Sequence, residues 1–293
     1  MVETVLAAAL IGLASGAVYA LIAVGLSLGF RSGGLINVAQ GDLAVLAAYV
    51  GAALIGAGLS YWAAMVIVSI GAGVVMLGLD RLVFRALYGC NPVYLIIITV
   101  GISAIIEAAI TWHWGGNPLV YKPALGSGVL RVGGLHLFVE DLVALGICLA
   151  VAGVLGAALR YTSIGRSVRA GASDAVAAEL CGISVARARA ISLAASGVLA
   201  GLGGMILAAL VSLYPTTGLD ITLAAFVGAV IGGFGSVWGA VLGSLIVGLV
   251  EGVAGAYVAS DFHSVFVYLL LGLILIVRPA GLFGEEGVGV REV

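Results

Sequence analysis

Charge is scarce in this 293-residue chain: Asp, Glu, Lys and Arg together make up 9% of it, where a soluble domain carries about 25%. Hydrophobic residues are 63% and the mean hydropathy is +1.28. A chain of this composition cannot cover itself with water-compatible surface, so lipid must be its solvent. The formal net charge of -2 resides almost entirely in loops, and no basic patch points to nucleic acid. Cysteine is sparser still, at three residues. Cys90, Cys148 and Cys181 have neither a disulfide framework nor metal-ligand spacing, and read as small packing residues.

The same scarcity excludes most chemistry. The one lysine, Lys122, follows Tyr121, so the G-x-x-x-x-G-K-[ST] loop of a nucleotide site is absent. His113, His136 and His263 are far apart, no histidine and carboxylate share metal-ligand spacing, and no Gly-x-Ser-x-Gly elbow is present. An enzyme reading therefore finds no nucleophile, base or metal. The start of the chain carries Glu3 ahead of a run long enough to span a bilayer, which predicts a span rather than a cleaved signal peptide.

What the chain does have is long apolar runs. A spanning helix needs about 20 apolar residues, and spans are expected near Val5–Leu28, Leu35–Ile55, Tyr61–Leu79, Pro92–Trp114, Leu142–Leu159, Ala190–Leu213 and Val265–Val277. The run Ile221–Val250 is too long for one upright helix, so it reads as two short spans or as one span preceded by a broken, re-entrant half-helix. The expected fold is an all-α polytopic membrane protein, one domain over residues 1–293, with eight or nine crossings. Arg160, Arg166, Arg169, Arg187 and Arg189 share one loop, about residues 160–189, which the positive-inside rule places in the cytoplasm. Counting back puts Arg81 and Arg85 inside, residues 115–141 outside and the N-terminus outside. Nine crossings put the C-terminus inside; eight do not.

Glycine recurs at four-residue spacing in Gly12 and Gly16, Gly25 and Gly29, Gly197 and Gly201, and Gly235, Gly239 and Gly243, the pattern that lets helix backbones approach. Close packing explains the early pairs. Gly232, Gly233 and Gly235 crowd together before Ser236 and instead suggest irregular backbone at membrane depth, which is tolerated where protein buries it or where it lines a cavity.

Ionisable groups inside the membrane are the next candidates, because an ionised side chain near the bilayer centre costs roughly 2.5 to 3.5 kcal/mol on insertion scales. Glu107 and Glu251 are the two clear cases. Each is either a protonated acid bonded to a neighbouring helix or a titrating group on a transport route. In the segment Gly33–Asp42, Asn37 and Gln40 are three apart and are expected on one helix face, with Asp42 beside them. In the arginine-bearing loop, Ser173 is the expected cap of a helix from Asp174 to Cys181, with Glu179 near its end and Gly182 as its left-handed stop. Ser184 is expected to cap the next helix. Ala175, Val176, Ala178, Leu180 and Ile183 would then present an apolar surface to lipid, to a partner's groove or to the chain itself.

Three stretches, in order and correctly spaced, carry a resemblance: Gly33–Asp42, the loop GRSVRAGASDAVAAELCGISVARARAISL from Gly165 to Leu193, and the run AVIGGFGSVWGAVLGSLIVGLVEG from Ala229 to Gly252. Together they resemble the branched-chain amino acid ABC transporter permeases, and more narrowly the shorter of that system's two permease subunits. The resemblance implies a non-enzymatic transmembrane subunit of an ATP-driven importer in a bacterial inner membrane. It implies as partners a second related permease, two ATPase subunits that bind ATP and Mg, and an extracytoplasmic substrate-binding protein. It assigns Ser173, Asp174, Glu179 and Gly182 to a short helix and its stop that dock on the ATPase, with Arg166, Arg169 and Arg187 as flanking contacts.

Translocation-path candidates are Asn37, Gln40, Asp42, Glu107, Gly232, Gly233, Gly235, Ser236 and Glu251. Many members of the family have Asn-Phe-Ala-His-Gly-Glu where this chain has Asn37-Val38-Ala39-Gln40-Gly41-Asp42, so Gln40 keeps hydrogen bonding and loses titration. The wider family also imports other amino acids, amides, urea and aromatic acids. A secondary carrier driven by an ion gradient, leaning on Glu107 and Glu251, is the alternative from another class.

Overall fold

In lipid every backbone N–H and C=O must be paired within the chain, and the apolar runs meet that demand as helices. A computed structural model describes residues 2–88, 90–119, 121, 128–132, 135–257, 263–278 and 281–282. Lys122 and the C-terminal tail with Arg291 lie outside these residues. The helices are α1 (Val2–Gly33), α2 (Gln40–Gly56), α3 (Tyr61–Leu79), α4 (Arg85–Leu87), α5 (Pro92–Trp114), α6 (Val139–Tyr161), α7 (Ser163–Ser173), α8 (Ala175–Leu180), α9 (Val185–Leu210), α10 (Gly218–Gly232), α11 (Val237–Tyr257) and α12 (His263–Val277). A π-helical turn, Asp80–Phe84, joins α3 to α4, and a 3-10 turn, Pro215–Thr217, precedes α10. Local chemistry sets several starts. Ser60 Oγ accepts from the Ala63 N–H at the head of α3, and Asn91 Oδ1 accepts from the Val93 N–H, with proline opening α5.

Among the described residues seven stretches are long and apolar enough to cross a bilayer: Val5–Gly33, Tyr61–Leu87, Val93–Trp114, Val139–Tyr161, Val185–Leu210, Pro215–Gly232 and Val237–Ala256. Gln40–Gly56 and Val265–Ile276 are apolar but shorter. The run expected to break does so, into α10 and α11, around Gly233 at φ 97° and Gly235 at φ 90°. One departure from the all-α expectation is a small antiparallel hairpin, β1 (Val129–Val132) with β2 (Leu135–Phe138), registered from Val129 opposite Phe138 to Val132 opposite Leu135. It lies between α5 and α6, in a connection whose hydropathy gives no span, where strand pairing is one more way to satisfy the backbone.

α1 is the axis of the bundle. It packs most extensively on α11, then on α9, and also touches α6 and α10. The α1–α11 seam is backbone against backbone: a Cβ on Gly12 would fall 2.3 Å from the Gly248 carbonyl oxygen, and one on Gly248 would fall 2.3 Å from that of Gly12. Gly197 and Gly201 seat α9 on Ala72 and Ser69 of α3 in the same way. Gly239 and Gly243 close α11 onto Gly232 and Gly228 of α10.

Tyrosines tie the end of the bundle away from the arginine-bearing loop. Tyr49 Oη donates to the Asn117 carbonyl at 2.9 Å and lies 3.2 Å from the Leu213 carbonyl, and Tyr121 Oη donates to the Ala48 carbonyl at 2.5 Å. Burial raises the Tyr121 pKa, which keeps that hydroxyl a proton donor.

Candidate functional site

Gly25 lies eight residues before the end of α1, roughly 12 Å along its axis at 1.5 Å per residue. A Cβ there would fall 2.7 Å from Gln40 Nε2, so the missing side chain makes room for the glutamine. The chain leaves α1 at Gly33 and returns to this depth before α2 begins. Asn37 thus precedes the helix, and the expected shared helix face is replaced by a turn in which Asn37 Oδ1 accepts from the Ala39 N–H at 3.2 Å. The pair still meets: Asn37 Nδ2 donates to Gln40 Oε1 at 3.2 Å, and Gln40 Nε2 donates to the Ser196 carbonyl of α9 at 2.9 Å.

Asp42 sits in the first turn of α2 and accepts from Ser103 Oγ of α5 at 2.5 Å. Gly218, which opens α10, is pressed against the same carboxylate, because a Cβ there would fall 2.1 Å from Asp42 Oδ1. Two helix N-termini, each a partial positive charge, therefore flank one buried acid. Thr222 completes the knot. Its Oγ1 accepts from the Gly41 N–H at 2.8 Å, and lies 3.0 Å from the Val38 and Gly218 carbonyls. Asn37, Gln40 and Asp42 are 4%, 0% and 1% exposed, so in this conformation they join α2, α5, α9 and α10 rather than line an open channel. Ser103→Ala removes the donor from a buried carboxylate, a change worth about 1–2 kcal/mol. The expected result is a lower Tm for the purified protein, with Ser103→Thr close to wild type.

The other path candidates lie apart from this knot or along it. Glu107 is half-buried on α5, one turn from Ser103 and on the same face. Glu251 is half-buried on α11 and accepts from Tyr19 Oη of α1 at 3.4 Å. Gly232, Gly233, Gly235 and Ser236 form the α10–α11 turn at the arginine-bearing end, where Arg31 Nη1 donates to the Gly235 carbonyl at 3.3 Å and Ser236 Oγ accepts from the Gly239 N–H at 3.1 Å.

The arginine-bearing segment contains a helix that the hydropathy runs do not reveal. α7 spans Ser163–Ser173, so Ser173 ends a helix instead of capping one. Asp174 takes the capping role: its backbone is extended at φ -154°, ψ 108°, and Oδ1 accepts from the Val176 and Ala177 N–H groups at 2.9 and 3.0 Å. An aspartate reaches both amides from this geometry, which explains its priority over the serine beside it. At the other end Gly182 has φ 81°, its N–H reaches the Glu179 carbonyl and the Ile183 N–H reaches that of Ala178, the paired bonds of a Schellman stop. Ser184 caps α9 as expected.

Val176 and Leu180 are 70% and 85% exposed, whereas Ala178 is buried and Ile183 half-buried. The outward apolar surface is therefore narrower than the sequence pattern, because Ala178 turns inward. Arg166 and Arg187 are exposed, while Arg169 is half-buried and donates to the Leu159 and Arg160 carbonyls, closing the end of α6. Asp174→Ala is expected to cost about 1 kcal/mol of local helix stability. Faster hydrogen exchange at the Val176 and Ala177 amides, with the global Tm unchanged, checks it.

One cluster was not anticipated. Arg189 near the start of α9 lies with its guanidinium carbon 3.3 Å from the Tyr88 ring centre and its Nε 4.0 Å from Asp80 Oδ1, while Tyr88 Oη donates to the same oxygen at 3.4 Å. A lone acid inside the Tyr61–Leu87 span was the available signal. No grouping of three or more metal-ligating side chains occurs among the described residues.

Relatives at the level of sequence span nearly the whole chain. It is 28% identical to the high-affinity branched-chain amino acid transport system permease protein LivH of Salmonella typhimurium, with 94% of each chain covered. The match to LivH of Escherichia coli K12 is also 28% over 94% of each. The corresponding permease protein BraD of Pseudomonas aeruginosa is 27% identical, covering 94% of this chain and 95% of its own. No solved structure gives a significant match. Residues 8–277, which include the buried knot, the capped α8 and the α10–α11 turn, match the family described as the branched-chain amino acid transport system permease component, and the chain belongs to that family.

Proposed function

We propose that this chain is one transmembrane permease subunit of an ATP-driven importer for branched-chain or related hydrophobic amino acids in a bacterial plasma membrane. With a second, related permease it forms the translocation path, and two ATPase subunits bind ATP and Mg²⁺ and act on it from the cytoplasm. An extracytoplasmic binding protein delivers substrate. The observation that carries the reading is α8: six residues, capped by Asp174 and stopped at Gly182, presenting Val176 and Leu180 outward at the arginine-bearing end. Val176 and Leu180 stay exposed on an ordered segment fixed at both ends, an apolar pair available to a partner. A partner ATPase groove would take that pair.

In this reading ATP binding and hydrolysis displace α7 and α8, and the displacement tilts α9 and the helices packed on it. A docked helix shifts the inward–outward equilibrium only by contacts that differ between the two states. Arg166 and Arg187, both exposed, flank the docking surface, with Ser173 and Glu179 at its edges and Arg169 behind it. The buried knot at Asn37, Gln40 and Asp42, with Glu107 along the same face of α5, is the part of the path wall that such tilting would open. Glu251 and the α10–α11 turn are its other candidate walls.

The arrangement of α10 and α11 favours nine crossings, with α2 and α12 as the two short ones and the C-terminus inside. Ser260, which lies outside the described residues, would then face outward. A cysteine there, in a background lacking the native three, is expected to react with an impermeant thiol reagent added outside.

Leucine uptake into proteoliposomes containing the chain, its partner permease and ATPases, with binding protein outside, tests the whole proposal. Uptake that requires internal ATP is the expected result. Uptake driven by an ion gradient without ATP would overturn it, and ATP-driven uptake of urea or amides but not leucine would keep the importer and replace the substrate.

A further inference from the structure

The arginine-bearing end of the bundle has a feature that substrate transport leaves unexplained. The last turns of α1, the end of α6, α7 and the α10–α11 turn enclose a shallow groove whose walls include Leu28, Leu159 and Val237, and whose polar groups are Ser27, Arg31 and Arg169. Among the described residues no acidic side chain lines it. Three of the walls are helix ends or a turn and the fourth is the middle of the amphipathic α7, which places the groove at the boundary between apolar spans and polar loops. Tyr161 and Trp238, both exposed, stand beside it, as aromatic side chains do at the depth of lipid headgroups.

Ser27 is the telling residue. It is 1% exposed, it lines the groove, and its Oγ has no hydrogen-bond partner among the described residues. A buried hydroxyl left unpaired costs about 1–3 kcal/mol, so the site is short of an acceptor or a donor. Arg169 donates to the Leu159 and Arg160 carbonyls. With five N–H donors on a guanidinium, it has capacity for an anion as well. Arg160 and Arg166, both exposed nearby on α6 and α7, add positive charge. A lipid is the occupant that fits both halves of this surface: phosphate oxygens at the guanidiniums and the serine, and acyl chains along the leucine and valine walls.

We propose that this groove is a specific binding site for the phosphate group of an anionic phospholipid, held by Arg31, Arg169 and Ser27. Its consequence is that the headgroup joins α1, α6 and the α10–α11 turn to α7, the helix immediately before the capped α8.

The test is native mass spectrometry on the full-length chain co-purified with its partner subunits, with phosphatidylglycerol and phosphatidylcholine of matched acyl chains added in equal amounts. The expected result is retention of phosphatidylglycerol about tenfold over phosphatidylcholine, falling toward parity in Arg31→Gln and at least about threefold in Ser27→Ala. Ser27→Ala removes only the unpaired oxygen and adds no bulk at a buried position, so it carries the test should Arg31→Gln fail to fold. Equal retention of the two lipids by the wild type, or a preference untouched by Ser27→Ala, would overturn the proposal. Inorganic phosphate that displaces the lipid and protects the protein from thermal unfolding equally well would reassign the site to a free anion and overturn it as a lipid site.

Discussion

Gly248→Leu is expected to prevent the α1–α11 seam from closing and to leave little folded permease in the membrane. The new Cβ would meet the Gly12 carbonyl oxygen at 2.3 Å, Gly16 Cα at 2.4 Å and Gly16 N at 2.5 Å. All three are backbone atoms of the axial helix, so no rotamer change relieves the clash and the helices must separate. Overpacking a core costs about 1–3 kcal/mol where side chains can shift, and this site lies at or above the top of that range. Since α1 also carries α9, α6 and α10, the damage spreads beyond one pair. Gly255 is the control. It sits on the same helix with nothing within 4 Å of its added Cβ, so Gly255→Ala is expected to be neutral or to gain about 0.5–1 kcal/mol of helix propensity. Yield and Tm of the purified variants decide it, and a Gly248→Leu protein that melts at the wild-type temperature would refute the seam.

The second large effect belongs to transport. Gly182→Val places a β-branched residue where φ is 81°, a conformation such side chains scarcely adopt. It breaks the stop whose two bonds fix the end of α8. The expected outcome is an assembled complex that still hydrolyses ATP while uptake per ATP falls about tenfold, corresponding to about 1.4 kcal/mol of lost coupling. Gly182→Asn is the informative companion, because asparagine tolerates the left-handed region. It should retain most of the coupling. Normal uptake per ATP in Gly182→Val, from a complex of normal composition, would remove α8 from the mechanism.

The two predictions differ in how readable they were. The left-handed stop at Gly182 and the cap at Ser184 were legible, because caps depend on a few consecutive residues and their backbone. Asp174 was recognised as part of α8 but not as its cap, since Ser173 and Asp174 are both good caps and only the end of α7 decides between them. α7 itself was hidden: its polar face carries Arg166 and Arg169, and a search for spans passes over a short amphipathic helix. The Gly12 and Gly16 pattern announced close packing without naming the partner. The knot at Asn37, Gln40 and Asp42 was picked out as a candidate, yet its partners Ser103, Ser196 and Thr222 looked like ordinary small residues of apolar runs. Arg189 was counted only as a loop charge, while in the fold it is drawn between Asp80 and Tyr88.

Composition and hydropathy by themselves determined that lipid is the solvent, that the chain spans it as helices, where most of those helices lie and where the long glycine-rich run breaks. These follow from backbone hydrogen bonds, which a helix satisfies between residues four apart without help from the rest of the chain. Only the tertiary structure decided which glycine meets which, that two helix N-termini converge on Asp42, and that Ala178 turns in while Leu180 stays out. In lipid there is no hydrophobic drive between helices to reveal such pairings in a hydropathy pattern. They rest on close backbone approach and on hydrogen bonds between segments distant in sequence, and these exist only once the helices are packed.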